Sequence, residues 1–243
     1  MGGNSSGGKS AVEGLLRLLR RSAKGASAGV RYAHRKAVEA GEWTEPIRTM
    51  TFTALDCQTT GPNPARDEIL SIGAVRIRDN RIVLGERFYQ AFKPSEAVSP
   101  KEIILVHGLG PDEVSRSMPL PEALERLIAF IGDSVVVGYH TEIDLRFLNV
   151  ALAARAGSVI ENPAIDTRLL YRWSRRARSP SGQASGDARL EDIVTEMGLP
   201  RYPAHHAFYD ALSAGLVFLK LLGDFEASGA VQFRALYREA GVY

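Results

Sequence analysis

The sequence predicts an α/β fold in which a mixed sheet is flanked by helices, and two patterns lead to that expectation. Apolar segments separated by turn residues come first, and short apolar segments alternating with amphipathic ones follow. Strands that follow one another directly pair as antiparallel hairpins, whereas strands separated by helices pair in parallel. A chain of 243 residues is long enough for one large domain, with or without an appendage.

The first strands form a predicted three-strand antiparallel meander over residues 51–57, 68–78 and 81–92. The second segment has apolar residues at Ile69, Leu70, Ile72, Val75 and Ile77, and apolar residues recur in the other two, as in half-buried strands. Asp79 and Asn80 separate the second and third segments, and this pair is typical of a two-residue hairpin turn. A loop over 94–100 follows.

Helices and short strands then alternate. The apolar run 134–138 is rich in β-branched valines, which is typical of a buried parallel strand. A second short strand or connection is expected at 163–165. The predicted helices cover 101–106, 112–114, 121–131, 142–155, 167–174, 189–197 and 206–222. Residues 175–186 are basic and rich in Ser, Gly and Pro, so we expect a mobile loop there.

Composition excludes several classes of protein. Hydrophobic residues make up 45% and charged residues 24% of the chain, which is ordinary for a globular protein. No apolar run approaches the roughly 20 residues of a membrane span, and no secretory signal is visible. Cys57 is the single cysteine, so no internal disulfide can form. We therefore expect a cytoplasmic protein without an integral membrane segment.

Charge and composition divide the chain into three parts: a basic arm over 1–48, a domain over 49–225 and a C-terminal tail over 226–243. Residues 1–40 carry a net charge of +6 and the remainder −4. The arm fits a nucleic-acid contact, a membrane-surface helix, a docking helix or a transit peptide. We favour a solvated helical extension, because nothing in the arm specifies a ligand.

Residues that can carry chemistry lie at four points, each at a strand end or a helix start: Asp56 with Gln58, Asp144, Asp166, and His205 with His206 and Asp210. Taken singly, the acids fit helix capping or the helix dipole. Side chains two residues apart on a strand share a face, so Asp56 and Gln58 point together while Cys57 points away. We expect Cys57 to be a small buried hydrophobic residue.

Together, in this order, these segments resemble the DEDDh family of 3′→5′ exonucleases, which includes the proofreading epsilon subunit of DNA polymerase III and RNase T. The resemblance covers residues 51–222. Its most specific part is His205-x-Ala207-x-x-Asp210. The resemblance implies an RNase H-like fold and a nucleic-acid substrate with a 3′ end. It favours single-stranded DNA over RNA as that substrate. A DNA polymerase or another replication or repair protein as partner, and a homodimer, are further implications.

The resemblance also implies a two-metal site. Asp56, Gln58, Asp144 and Asp210 would hold two Mg²⁺ or Mn²⁺ ions, since these ions prefer hard oxygen ligands. His205 would act as general base, because imidazole exchanges protons near neutral pH. Thr59, Thr60, Gly61 and His107 would contact the terminal nucleotide.

Position 58 departs from the family, whose members carry Glu there. Gln offers a carbonyl oxygen but no charge, and two unit charges about 4 Å apart are worth roughly 4 kcal/mol at an effective dielectric constant near 20. Gln58 is therefore a natural variant in a working site, the mark of a degenerate site, or an engineered change. The alternative function is a nucleic-acid-binding or polymerase-associated module with little catalysis, in which the arm and arginines 172, 175, 176 and 178 bind phosphates.

Overall fold

A six-stranded mixed sheet forms the centre of the molecule in the computed structural model, which describes residues 44–93, 118–156, 159–178 and 188–242. The strand order is β3-β2-β1-β4-β5-β6. The strands are β1 (Phe52–Thr59), β2 (Ile69–Arg78), β3 (Arg81–Ala91), β4 (Val135–Gly138), β5 (Ala164–Asp166) and β6 (Gly241–Val242). The helices are α1 (Leu120–Ile131), α2 (Thr141–Ala156), α3 (Thr167–Arg178), α4 (Leu190–Glu196), α5 (Ala207–Ala227) and α6 (Phe233–Ala240), and a 3₁₀ turn spans Ile47–Thr49.

The predicted meander is confirmed. Strand β2 pairs antiparallel with both β1 and β3. Asp79 and Asn80 have φ angles of 51° and 56° and form the two-residue turn between β2 and β3. Positive φ at both turn residues matches the right-handed twist of the strands, and Asp and Asn tolerate it better than most residues. The register places Asp56 opposite Gly73, and Gly73 opposite Tyr89.

The parallel part of the sheet is confirmed as well. Strand β4 pairs parallel with β1 and with β5. All four residues of β4 are buried, because helices cover both faces of the sheet at this position. Successive valines of β4 point to opposite faces: Val135 and Val137 pack on one side and Val136 on the other.

Two hydrophobic cores enclose the sheet, one on each face. Helices α3, α4, α5 and α6 pack with Phe52 and Ala54 of β1 on one face. Helices α1 and α2 pack with Leu55 on the opposite face. The protein is therefore a three-layer α/β/α structure, as predicted, and the even-numbered residues of β1 face α5.

Helix α5 lies very close to the sheet where a glycine permits it. A Cβ atom on Gly73 would lie 2.2 Å from the backbone nitrogen of Phe208 and 2.4 Å from the carbonyl oxygen of Ala207. No side chain fits in that space, so residue 73 must be glycine if the start of α5 is to cross β2. This close approach determines the distance between the start of α5 and the sheet.

Two segments differ from the sequence-based predictions. Helix α3 extends to Arg178, so residues 175–178 belong to a helix rather than to the predicted basic loop. Arg175 contacts Glu196 and Arg178 contacts Asp224, and these ion pairs accompany the added turn. The remainder of that loop, the arm before residue 44, and the predicted elements within 94–117 lie outside the described residues.

Residues 226–243, predicted as a tail, contain α6 and β6. Phe233, Leu236 and Ala240 are fully buried in the core beside α5, and β6 pairs with β5. The pattern of α6 is visible in the sequence but is only two turns long. Among the described helices, none is long and apolar enough to cross a bilayer.

Candidate active site

The end of β1 supplies the first two side chains of the site. Asp56 and Gln58 lie on the face that α5 covers, and Gln58 is only 9% exposed. Cys57 packs on the opposite face with the α1 and α2 core, as predicted from the alternation of side chains along a strand. Asp56 and Gln58, two residues apart on β1, therefore share one face of the strand as predicted, and both side chains point at the start of α5.

Asp210 reaches the same point from the first turn of α5. The Nε2 atom of Gln58 donates to Oδ2 of Asp56 at 2.8 Å and to Oδ2 of Asp210 at 2.9 Å. One amide nitrogen thus joins two carboxylates from different elements. Because the amide uses both of its N–H groups, its carbonyl oxygen does not face the carboxylates.

Asp144 comes from α2, on the other side of β1. It is 5% exposed, and its Oδ1 accepts a hydrogen bond from the backbone N–H of Cys57 at 2.9 Å. The Asp144 carboxylate also bonds its own backbone N–H in the first turn of α2, as in helix capping, but capping does not account for the contact with Cys57 on β1. Asp144 is thereby brought beside the Asp56–Gln58 strand end.

One buried carboxyl group, Asp144, and two half-buried ones, Asp56 and Asp210, lie close together, and this disfavours their ionised forms. Burial and then the charge of Asp210 raise the pKa of Asp56 from 3.8 to about 8. Burial raises the pKa of Asp210 to about 6, against the opposing effect of His205. The pKa of Asp144 is also raised, first by burial and then by Asp56. A nearby positive charge would favour the ionised forms of this cluster.

His205 lies at the edge of the cluster, in the loop that leads into α5. Its side chain is exposed and its backbone has φ of 62°, a left-handed conformation that non-glycine residues seldom adopt. Its backbone hydrogen bond and its charge both act on the Asp210 carboxylate. The structure therefore places the predicted base beside the predicted ligand, open to solvent.

The predicted nucleotide contacts lie just beyond β1. The hydroxyl of Thr59 donates to the carbonyl oxygen of Gly61 at 2.8 Å, and the hydroxyl of Thr60 accepts from the backbone of Glu68 at 2.9 Å. A Cβ on Gly61 would lie 2.7 Å from an Asp67 carboxylate oxygen. These contacts hold the loop in shape, and the substrate role of the three residues stays a prediction.

Asp166 and His107 have different outcomes. The carboxylate of Asp166 accepts from the backbone N–H of Arg168 at 2.8 Å and from that of His140 at 3.2 Å. Asp166 therefore caps α3, which is the structural role that its position before Thr167 suggests. His107 lies outside the described residues.

The carboxylate oxygens of Asp56 and Asp210 suit a divalent cation, whereas the amide nitrogen of Gln58 does not. Two carboxylate oxygens converge on the Gln58 nitrogen, and hard oxygen ligands are what Mg²⁺ and Mn²⁺ prefer. The nitrogen itself occupies the point of convergence, so the amide must rotate before its carbonyl oxygen can serve as a ligand. Within the part of the chain that the structure describes, no three His, Cys, Asp or Glu side chains form a metal-binding group.

Sequence reasoning missed two contributors to the site. Gly73 sets the height of α5, and a glycine inside a strand is itself a signal of close backbone approach. Tyr89 stacks on His206 with ring centroids 4.6 Å apart. The contact between Tyr89 and His206 could not be predicted without the strand register, because Tyr89 precedes His205 by 116 positions along the chain.

The fold and site together define a class of protein, the RNase H-like nucleases with a carboxylate at the end of the first strand. The structure is similar to the crystal structure of E. coli Exonuclease I in complex with a dT13 oligonucleotide. The TM-score is 0.60 at 20% identity, and the match covers 74% of this chain and 42% of that one. At this identity the likeness establishes the fold.

Sequence comparison then identifies the family. A family model described as Exonuclease matches residues 53–218, and the chain belongs to that family. The match includes β1, the meander, α2 and the part of α5 that carries Asp210.

The sequence relatives include DNA polymerase III proteins. A DNA polymerase III PolC-type protein of Thermotoga maritima is 32% identical over 172 residues, which is 71% of this chain and 12% of that protein. A DNA polymerase III subunit epsilon of Aquifex aeolicus is 26% identical over 174 residues, covering 72% of this chain and 81% of that protein. The chain thus spans only a small part of the PolC-type relatives and most of the epsilon relative.

Proposed function

We propose that this chain is a 3′→5′ exonuclease that removes nucleoside monophosphates from the 3′ end of single-stranded nucleic acid, with DNA favoured over RNA. The observation that carries the proposal is the convergence of Asp56, Gln58 and Asp210 beside an exposed His205. Membership of the exonuclease family supports the reaction class. The oligonucleotide in the Exonuclease I complex supports single-stranded DNA as the substrate.

The roles of the residues follow from their chemistry. Asp56, Asp144 and Asp210, with the carbonyl oxygen of Gln58 after rotation, would hold one or two Mg²⁺ or Mn²⁺ ions. Bound ions of this kind stabilise charge on the attacking and leaving oxygens of a phosphodiester displacement. His205 takes a proton from the attacking water, and its exposure leaves room for that water. Asp210 orients the loop of His205 through the backbone contact.

Gln58 decides how active the site is. The amide lacks the charge of Glu, and its nitrogen donates to the two carboxylates that would hold the ion. Metal binding must break both hydrogen bonds. We therefore expect measurable but reduced activity, with Mn²⁺ more effective than Mg²⁺, because Mn²⁺ binds nitrogen- and oxygen-donor sites more readily and demands a less regular geometry.

The alternative is a module that binds nucleic acid without cutting it. The Gln58 amide favours this alternative, because its two hydrogen bonds to Asp56 and Asp210 compete with metal binding by the same carboxylates. The two hypotheses differ in whether nucleotide is released from a bound oligonucleotide. A binding module retains oligonucleotide in the presence of Mg²⁺ or Mn²⁺ and releases no nucleotide.

A degradation assay separates them. The native chain and its Gln58→Glu form are incubated with a 5′-labelled oligonucleotide in chelator, in Mg²⁺ and in Mn²⁺. The proposal expects a 3′ ladder from both forms, faster for Gln58→Glu and absent for Asp210→Ala. Retained binding with no ladder from the native chain in either metal overturns the proposal. If Gln58→Glu alone produces a ladder, the native site is a disabled one.

Relatives named DNA polymerase III PolC-type and DNA polymerase III subunit epsilon support an association of this chain with a DNA polymerase. A homodimer, a cytoplasmic location and the role of the basic arm stay predictions from the sequence.

A further inference from the structure

Four aromatic rings form a continuous column beside the site. Tyr89 of β3 stacks on His206, the residue before α5, with centroids 4.6 Å apart and planes 15° apart. His206 contacts Tyr209 in the first turn of α5, also at 4.6 Å. Tyr209 is parallel to Tyr202 of the preceding loop, within 1° and at 5.6 Å. We name these four residues the ring column.

Two members of the ring column are chain neighbours of site residues. His205 immediately precedes His206, and Asp210 immediately follows Tyr209. His205 has a left-handed backbone and an exposed side chain, so its own side chain is not held by burial. A conformation of this kind persists only where surrounding structure imposes it. The stacked ring of His206 is the adjacent element that can do so.

The position of the column is tied to the sheet that carries the carboxylates. Tyr89 pairs with Gly73, and Gly73 pairs with Asp56, so the three residues form one row across β3, β2 and β1. Paired residues of neighbouring strands lie about 5 Å apart. The Tyr89 ring therefore stands at a distance from Asp56 that the backbone of the sheet determines.

We propose that Tyr89 is a positioning residue for His205. It acts through the stack on His206, which holds the loop so that the His205 imidazole stays beside Asp210. The inference rests on the proposed exonuclease function, in which His205 receives the proton of the attacking water. A competing explanation is that the rings only stabilise the fold.

The variants that separate these explanations are Tyr89→Leu, which removes the ring, and Tyr89→Phe, which keeps it. Trp173→Leu is a matched control, since it breaks another ring pair of α5, with Phe225 at 4.7 Å. Phe225 lies 15 residues beyond Asp210 on the helix, which corresponds to about 22 Å at 1.5 Å per residue. All variants are made in the full chain, both with Gln58 and with Gln58→Glu.

The measurement is kcat and KM on a 5′-labelled oligonucleotide, together with thermal unfolding. A general base contributes about 10²- to 10⁴-fold, and small misplacements cost a large part of it. We expect Tyr89→Leu to lower kcat by about tenfold or more with KM changed less than about threefold. Tyr89→Phe should retain most of the activity. Trp173→Leu should lower the unfolding temperature without that loss of kcat.

Equal kcat for Tyr89→Leu and the native residue, or an equal loss in Trp173→Leu, overturns the inference. The ring resonances of His205 in ¹H–¹⁵N spectra give a second measurement that does not need catalysis. Tyr89→Leu should shift or broaden them and Tyr89→Phe should not. Absence of any ladder from every form, with the His205 resonances still responding to Tyr89→Leu, would refute the proposed function but leave the positioning of His205 supported. Unresponsive resonances would refute the positioning.

Discussion

Replacing Gln58 by Glu exchanges a hydrogen-bond donor for a negative charge beside two carboxyl groups. The distances from the Gln58 nitrogen to Asp56 and to Asp210 indicate how large the effect should be. The amide nitrogen donates to Asp56 at 2.8 Å and to Asp210 at 2.9 Å. A hydrogen bond to an ionised group such as Asp210 contributes roughly 1.5–3 kcal/mol, and one to a protonated carboxyl such as that of Asp56 roughly 0.5–1.5 kcal/mol. Glu removes both and adds a like charge, which is relieved when one carboxyl group takes up a proton. We expect the metal-free protein to lose about 3 kcal/mol of stability.

The same substitution strengthens metal binding. One added unit charge about 4 Å from a dication is worth roughly 8 kcal/mol at an effective dielectric constant near 20, and desolvation offsets much of it. We expect the affinity for Mn²⁺ to rise at least about 100-fold, which is about 2.7 kcal/mol. Gln58→Glu should thus be the less stable form in chelator and the more strongly stabilised form in metal.

Thermal unfolding in chelator and across a Mn²⁺ titration measures both effects. A loss of about 3 kcal/mol lowers the unfolding temperature by roughly 6–12 °C in a domain of this size. Gln90→Glu is the control, because its amide is half-buried on β3 and donates to the carbonyl oxygen of Ala91 rather than to a carboxylate. Equal unfolding temperatures of the native and Gln58→Glu forms in chelator, with equal Mn²⁺ affinities, would refute the bridging role of the amide.

Three further predictions concern packing and pH. Gly73→Ala places a Cβ 2.2 Å from the Phe208 nitrogen and should lower the free energy of unfolding, measured by chemical denaturation, by about 3 kcal/mol or more. Gly85→Ala is the control, because open space surrounds that residue, and it should change the free energy of unfolding by less than about 0.5 kcal/mol. Similar values for the two variants would show that the position of α5 does not depend on Gly73. The pKa of Asp56 rises from 3.8 to about 8 on folding, so its protonated form is the one that folding favours, and metal-free stability should fall as the pH rises from about 4 to about 8. Unfolding followed against pH should show a flatter dependence in Asp56→Asn, and an unchanged slope would contradict the assignment. Phe233→Ala should cost about 3–5 kcal/mol because the ring is fully buried, and a neutral effect would restore the tail interpretation of residues 226–243.

The meander and the direction of the site residues on β1 could be predicted from the sequence, because both depend on local rules. Alternation along β1 places Asp56 and Gln58 together, and the Asp79–Asn80 pair specifies its own turn. The apolar valines of β4 likewise indicate a strand that is buried on both faces. These features need no knowledge of distant residues.

Features that depend on distant contacts could not be predicted in the same way. The height of α5 depends on Gly73, and the loop of His205 depends on a ring from β3. The extra turn of α3 accompanies ion pairs with Glu196 and Asp224, which lie far along the chain. The spacing of Asp56 and Gln58 also predicted a shared face without revealing that the amide nitrogen would join two carboxylates.

The most direct test of the central claim is the identity and rate of the product released from a 3′ end. With a single-stranded DNA oligonucleotide in Mn²⁺, the native chain should release nucleoside 5′-monophosphates one at a time, and Gln58→Glu should release them faster. Both activities should vanish in Asp210→Ala. Failure of both forms to release any nucleotide, while calorimetry shows that Mn²⁺ and the oligonucleotide are bound, would contradict the account.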